Sequence, residues 1–409
     1  MKILLAVTGS ISAYKAIELT RLLVKNSHQV RVILSKGATE FVKANLFRYL
    51  GAQEVYSTDS DFSMDEYRKI DGNVLHIELA RWCERFVVYP LSANTLSIFA
   101  NAGANDLISS VFLALESNKP KIIFPAMNSM MLSHPFVQEN LKKLETLNNI
   151  FIHPTSEGEM ACGEEGLGKL ASVEEASVLI ENLSFSKKKH QVLITTGATY
   201  SPLDPVRYLT NPSSGKTGYH LSASFLQKGY QVDLIATPSC KDLFENFKNH
   251  PDFKLYIAKT TQDMKLQVEK LFENCQTYIS AAAINDIEFN YEESKLKKEK
   301  MSETLAIKKS PDILQEVLLR KKNQNIIGFA AETSTDENIF IKKWNNKKVD
   351  LLVGNYVNNG LKNLSDEAVG FNQEKNKYFF VINGELSLQN ELSKKELASK
   401  LSDWVEQKI

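Results

Sequence analysis

Cysteine is scarce in this chain: Cys83, Cys162, Cys240 and Cys275 in 409 residues, with no CxxC spacing. That excludes a disulfide scaffold and argues against a structural zinc site. No run of 18 apolar residues occurs, so no membrane-crossing helix is expected. The opening apolar stretch ends at Thr8-Gly9-Ser10, too short for a signal-peptide core. Net charge is also missing. Lys plus Arg total 49 and Asp plus Glu total 49, which gives no support to a whole-chain nucleic-acid binder. Neither half opens with GxGxxG, which disfavours a nicotinamide dehydrogenase. What remains is ordinary for a folded soluble protein: 43% hydrophobic and 24% charged residues. The expectation is a cytoplasmic protein with reduced thiols, built from two or three domains.

The pattern along the chain is α/β, and it starts twice. Ile3–Val7 reads as a short buried strand. Ala16, Leu19, Leu22 and Leu23 then form one helical face, and Gln29–Leu34 alternates as a second strand. Further strands are expected at Arg85–Tyr89 and Lys121–Phe124. The pattern restarts with Gln191–Thr196, a helix opened by Ser213-Ser214-Gly215-Lys216-Thr217-Gly218, and a strand over Tyr230–Ala236. Strands at Thr277–Ser280, Ile326–Phe329 and Leu351–Val353 follow. Two Rossmann-like domains are therefore expected, over 1–183 and 191–409. The polar, basic run 184–190 reads as a solvated linker.

Several strand ends carry small polar residues, where open α/β sheets bind ligands. Gly9-Ser10-Ile11-Ser12 offers backbone N–H groups and hydroxyls to an anion. Ser92-Ala93-Asn94-Thr95 and Met127-Asn128-Ser129 each follow a strand. Ala161-Cys162-Gly163-Glu164-Glu165-Gly166-Leu167-Gly168-Lys169 reads as a movable flap carrying a thiol. In the second half, the GKTG string is not a P-loop, because Thr210 stands where GxxxxGK[ST] needs its first glycine. Lys295-Leu296-Lys297-Lys298 reads on composition alone as a solvated face.

Taken together, GSISAYK, PLSANTL, PAMNSMM and ACGEEGLGK resemble the homo-oligomeric flavin-containing cysteine decarboxylases over residues 1 to about 183. The resemblance implies a flavodoxin-type fold that binds FMN through Gly9, Ser10, Ile11, Ser12, Ser35, Thr39, Ser92, Ala93, Asn94 and Thr95. It also implies His76 as a base, Asn128 as the holder of the substrate carboxylate and Cys162 as a proton donor. Residues 190 to 409 resemble phosphopantothenate–cysteine ligases through DPVRYLTN, SSGKTG, KLKK, SPDIL and GFAAET. There the resemblance implies Lys295 and Asn211 as catalytic residues and Arg207 as a substrate contact. It implies CTP contacts at Ser280, Ala281, Ala282, Asp286, Lys295, Ser310, Pro311, Asp312, Ile313, Phe329, Lys343 and Lys347, with Asp286 holding Mg2+.

The two sets in this order resemble the bacterial bifunctional decarboxylase/ligase family of coenzyme A biosynthesis. That implies 4'-phosphopantothenate, L-cysteine and CTP as substrates, and trimeric decarboxylase with dimeric ligase units that together would build a dodecamer. The pattern departs from the family at Leu132, where tryptophan is usual, at Lys169 for arginine and at Ser310 for asparagine. The competing readings are a monofunctional flavin-dependent cysteine decarboxylase of another substrate, or a flavin prenyltransferase, neither of which needs residues 190–409. A non-catalytic regulatory flavoprotein would carry long acidic extensions that this chain lacks.

Overall fold

The computed structural model describes residues 1–62, 74–159, 165–186, 188, 190–297, 304–334, 336–357 and 375–409. It forms two compact α/β units, Met1–Glu181 and Asn182–Ile409. In the first, β1 (Lys2–Val7), β2 (Gln29–Leu34), β3 (Glu54–Ser57), β4 (Arg85–Leu91), β5 (Lys121–Pro125) and β6 (Ile150–Ile152) make one parallel sheet. Its order is β3-β2-β1-β4-β5-β6. The chain runs outward through β2 and β3, then returns to the other side of β1. Such a reversal opens a crevice beyond the C-terminal ends of β1 and β4.

Ile3 through Val7 are fully buried, as a strand covered on both faces requires. Helix Lys15–Lys25 turns Ala16, Leu19, Thr20 and Leu23 inward. Leu22 lies only half-buried, and Thr20 takes an inner place because its hydroxyl returns to Ala16 O at 2.8 Å. A hairpin follows, β7 (Ser156–Glu159) with β8 (Glu165–Lys169). Cys162 lies outside the described residues.

The second unit repeats the plan with a longer sheet. Its strands are β9 (Gln191–Thr196), β12 (Gln231–Ala236), β13 (Phe253–Ile257), β14 (Thr277–Ser280), β17 (Asn325–Glu332), β18 (Leu351–Tyr356), β19 (Lys375–Ile382) and β20 (Glu385–Ser393). The order is β13-β12-β9-β14-β17-β18-β19-β20, parallel as far as β18 and antiparallel beyond. The reversal again falls beside the first strand, between β9 and β14. Two small antiparallel pairs stand apart, β10 (Tyr200–Pro202) with β11 (Tyr208–Thr210), and β15 (Ile287–Phe289) with β16 (Ile307–Lys309).

Within the run before β9, Lys188 and His190 pack onto the second unit. The Lys188 N–H donates to Gly229 O at 2.8 Å, and its ammonium pairs with Glu406 and lies over the Tyr230 ring. His190 is buried, its Nε2 3.0 Å from Thr277 Oγ1. Compensated charge lets these residues join the second unit.

Candidate functional site

In the first unit, serine-capped turns line the C-terminal edge of the sheet. Ser10 Oγ accepts the Ser12 N–H at 3.3 Å. Ser35 Oγ caps the turn Lys36–Thr39 by accepting the Ala38 N–H at 3.1 Å. Ser92 Oγ caps helix Ala93–Ala100, accepting the Thr95 N–H at 3.3 Å. Thr39 turns its hydroxyl back to Lys36 O, Ile11 and Asn94 are exposed, and Ala93 begins its helix.

Buried Thr8, not anticipated from sequence, ties the crevice together. Its hydroxyl donates to Pro90 O at 2.8 Å and accepts the Ser92 N–H at 2.7 Å, fastening the end of β1 to the end of β4. Gly9 and Gly37 face each other so closely that a Cβ on either would lie 3.1 Å from the other's Cα. A side chain on either would force the two turns a few tenths of an ångström apart. Burial, and next the charge of Lys169, lower the Lys15 ammonium pKa. A crevice with nearby cations and free turn amides suits an anion.

His76 stands in the first turn of helix Leu75–Trp82. Asp61 grips it twice: Oδ1 accepts the His76 backbone N–H at 3.1 Å and Oδ2 lies 2.7 Å from Nδ1. Asn128 caps helix Ser129–Ser133, its side-chain oxygen accepting the Met130 N–H at 2.8 Å. β8 runs beside that loop. Ser129 Oγ donates to Leu167 O at 2.6 Å, and Met127 N–H to Gly168 O at 3.2 Å. Cys83, Cys240 and Cys275 are buried thiols. Burial pushes Cys83 up to about 11 and Cys275 up to about 12, so neither supplies a thiolate near neutrality.

In the second unit a cleft of about 1110 Å³ opens at the β9/β14 reversal. All the nucleotide residues expected from sequence line it except Lys295: Ser280, Ala281, Ala282, Asp286, Ser310, Pro311, Asp312, Ile313, Phe329, Lys343 and Lys347, joined by Asn211. Gly215, with φ of 76°, and Lys216 bring the start of helix Lys216–Gln227 to the same cleft. Asn211 Nδ2 donates to Ala283 O at 3.4 Å and Ile284 O at 3.3 Å. Ser310 N–H donates to Asp286 O at 3.0 Å, while buried Ser310 Oγ has no partner among the described residues. Asp312 caps helix Ile313–Arg320 and pairs with Lys347. Burial pushes its carboxyl up, but Lys347 and the Gln315 N–H bring it below the usual range. Lys343 pairs with Glu332.

Arg207 and Lys295 are not among the residues lining that cleft. Asp204 links their two segments. Its buried carboxylate accepts from the Val206 and Arg207 N–H groups, from the Arg207 side chain and from the Leu296 N–H at 3.1 Å. Arg207 Nη2 in turn donates to Leu296 O at 2.7 Å. Lys295, next to this junction, is exposed. The Arg207 guanidinium, foremost among these donors, holds the Asp204 carboxyl far below the usual range. The i,i+3 spacing of Asp204 and Arg207 was readable in sequence; the link to Leu296 was not.

Residues 187–409 match the DNA/pantothenate metabolism flavoprotein C-terminal domain family, and residues 1–185 match the flavoprotein family. The coenzyme A biosynthesis bifunctional protein CoaBC of Bacillus subtilis is 35% identical over 365 residues, covering 87% of this chain and 86% of that one. The chain belongs to this bifunctional coenzyme A biosynthesis family. Its relative of the same name in Borreliella burgdorferi is 30% identical over 412 residues, covering 98% of this chain and 97% of its own. Among solved structures, the C-terminal domain of a CoaBC protein is 26% identical over 54% of this chain and 96% of its own, with a TM-score of 0.43.

Proposed function

We propose that the second unit joins L-cysteine to 4'-phosphopantothenate using CTP, and that the first unit decarboxylates the cysteine moiety of the product to give 4'-phosphopantetheine. Family membership over nearly the whole chain carries this reading, and the two strand-end sites support it.

In the ligation, the pantothenate carboxylate attacks the α-phosphorus of CTP and pyrophosphate leaves. The cysteine amine then displaces CMP from the acyl-cytidylate and loses a proton. The cleft at β9/β14 suits the nucleotide, with Lys343 and Lys347 exchanging their carboxylate partners for phosphates. Asn211, fixed by two carbonyls, steadies the acyl-cytidylate; Arg207 serves the phosphate-bearing substrate and Lys295 the cytidylate-forming step. Among the described residues no group of three or more His, Cys, Asp or Glu could hold a metal. Asp286 with triphosphate oxygens is enough for Mg2+, which keeps most of its shell from water and phosphate.

The close contact between Gly9 and Gly37 and the capped turns at Ser10, Ser35 and Ser92 support FMN as the occupant of the first crevice. FMN held there would supply reversible two-electron, hydride-level redox chemistry for the cysteine moiety. The chain's own residues then have three tasks. His76 takes a proton at Nε2. Asn128 orients the departing carboxylate. Cys162, in the segment between β7 and β8, returns a proton to the decarboxylated carbon skeleton.

No described helix is long and apolar enough to cross a membrane, and we place the enzyme in the cytoplasm. The family resemblance supports trimeric first units and dimeric second units, for which exposed Tyr49, Met130 and Phe136 on the first unit and Val206 and Tyr208 on the second are candidate contact residues. The deciding assay supplies 4'-phosphopantothenate, cysteine, CTP and Mg2+ to the yellow, flavin-loaded protein. Formation of 4'-phosphopantetheine and carbon dioxide is expected; absence of both products from loaded protein sinks the reading.

A further inference from the structure

We infer that Asp61 is a positioning residue that fixes the tautomer of His76, keeping the hydrogen on Nδ1 and leaving Nε2 as the proton acceptor. The inference rests on His76 acting as the base, and it names the residue that makes it one.

The geometry forces the assignment. An ionised carboxylate only accepts hydrogen bonds. At 2.7 Å from Asp61 Oδ2, Nδ1 must therefore carry the hydrogen. In the neutral ring that leaves the lone pair on Nε2, for which no partner stands among the described residues. The same carboxylate accepts the His76 backbone N–H through Oδ1 at 3.1 Å, so one side chain fixes both the ring and the Cα that bears it.

The surroundings strengthen the grip. Helix Leu75–Trp82 has no side-chain cap from Val74, and Asp61 supplies an acceptor to its first turn. A carboxylate also sits favourably at the positive end of a helix. Asp61 is 8% exposed against 27% for His76, so the contact is screened from water while the ring keeps an open edge. When Nε2 takes a proton, the carboxylate faces the new imidazolium at the same contact and stabilises it.

Asp61 could instead be no more than a helix cap, and Asp61→Asn separates the two roles. Its amide oxygen can still accept the backbone N–H, but its NH2 group then faces Nδ1 and favours hydrogen on Nε2. The cap survives and the tautomer reverses. Expected results are unchanged flavin loading and ligation, a decarboxylation kcat lower by about 10²- to 10⁴-fold with KM nearly constant, and reversed pyridine-like and pyrrole-like ¹⁵N resonances of the His76 ring. The ring resonances are read without turnover.

His76→Asn in parallel keeps the two readings distinguishable. Normal decarboxylation by H76N would remove His76 from the reaction altogether. An inactive H76N beside a D61N enzyme with wild-type kcat would overturn the positioning role alone. If D61N does not load flavin, the wild-type spectrum decides: a pyridine-like Nδ1 overturns the inference, and a pyridine-like Nε2 upholds it.

Discussion

The two sites occupy the same place in two similar sheets, beyond the strand next to the order reversal, yet they are assembled differently. The first is lined largely by short-range turns, with Thr8 as its long-range tie between β1 and β4. Ser10, Ser35 and Ser92 each bind an N–H two or three residues ahead, and the groups are mostly neutral. The second is made of charged and amide links across long stretches of sequence. Asp204 reaches Leu296, Asn211 reaches Ala283 and Ile284, and Lys347 reaches Asp312. A turn-built site forms wherever its strand ends. A cross-linked site forms only when distant segments arrive together, so its residues share a common fate. Lys343 and Lys347 are also already paired with acids, which limits the charge they show until a more strongly charged ligand displaces those acids.

The largest effects should come from changes that empty one site and spare the other. His76→Asn is expected to lower decarboxylation by about 10²- to 10⁴-fold while phosphopantothenoylcysteine still forms. Lys295→Gln should stop ligation while decarboxylation of supplied phosphopantothenoylcysteine continues. Separate assays of the two half-reactions check both, and loss of both activities in either folded variant would break the two-site comparison. Gly168→Ala comes next. Gly168 has φ of +129°, and a Cβ there would lie 2.0 Å from Met127 O. Relief must displace β8 or the Asn128 loop, so decarboxylation should fall by about 10²-fold with ligation unchanged.

This contrast also explains what could be read beforehand. The strands that bracket the first crevice, and the Ser10 and Ser92 turns at their ends, were legible because each signal lies within a few neighbouring residues. Thr8 was visible only as a polar residue ending an apolar run; its double bond to β4 depends on strand order. Asp61 gave no local sign at all, because its partner is fifteen positions away and its charge resembles any surface aspartate. In the second unit most of the residues that line the cleft were named through family motifs, but not the Asp204–Leu296 link on which the Lys295 segment rests. The β19–β20 hairpin was readable in principle, since Asn383 and Gly384 form a two-residue turn with both φ positive.

Asp204→Asn tests whether the second site really shares a common fate. The amide keeps the shape but loses the charge that gathers Arg207 and Leu296. Ligation should drop by roughly tenfold to a hundredfold, with faster hydrogen exchange at Leu296 and Lys297 and unchanged decarboxylation. Intact exchange protection there would show that the Lys295 segment is held by other means. Because the folded carboxyl is depressed, its contribution is complete above its ordinary pKa of about 3.9 and declines as pH falls. The second unit's stability should therefore slope downward with acid below about pH 4, and the slope should be shallower in D204N.

The smallest effect is expected where pairing in the second unit faces water. Lys228 donates to Asp403 and Glu406, and Lys188 also binds Glu406, fastening helix Lys394–Glu406 to helix Lys216–Gln227. These bonds, first those from Lys188 and Lys228, hold the Glu406 carboxyl at about 2. Yet the Asp403 and Glu406 side chains are about half exposed, so solvent screens most of that attraction. Lys228→Ala should cost no more than about 1 kcal/mol by urea unfolding at low salt, and less at 1 M NaCl. In the wild type, the contribution should be present above the ordinary glutamate value of about 4.3. It should fade as pH falls through the held value of about 2. A loss of several kcal/mol that ignores salt would mean that this cluster acts through buried packing of the two helices. The division between water-facing and cleft-forming charge in the second unit would then have to be redrawn.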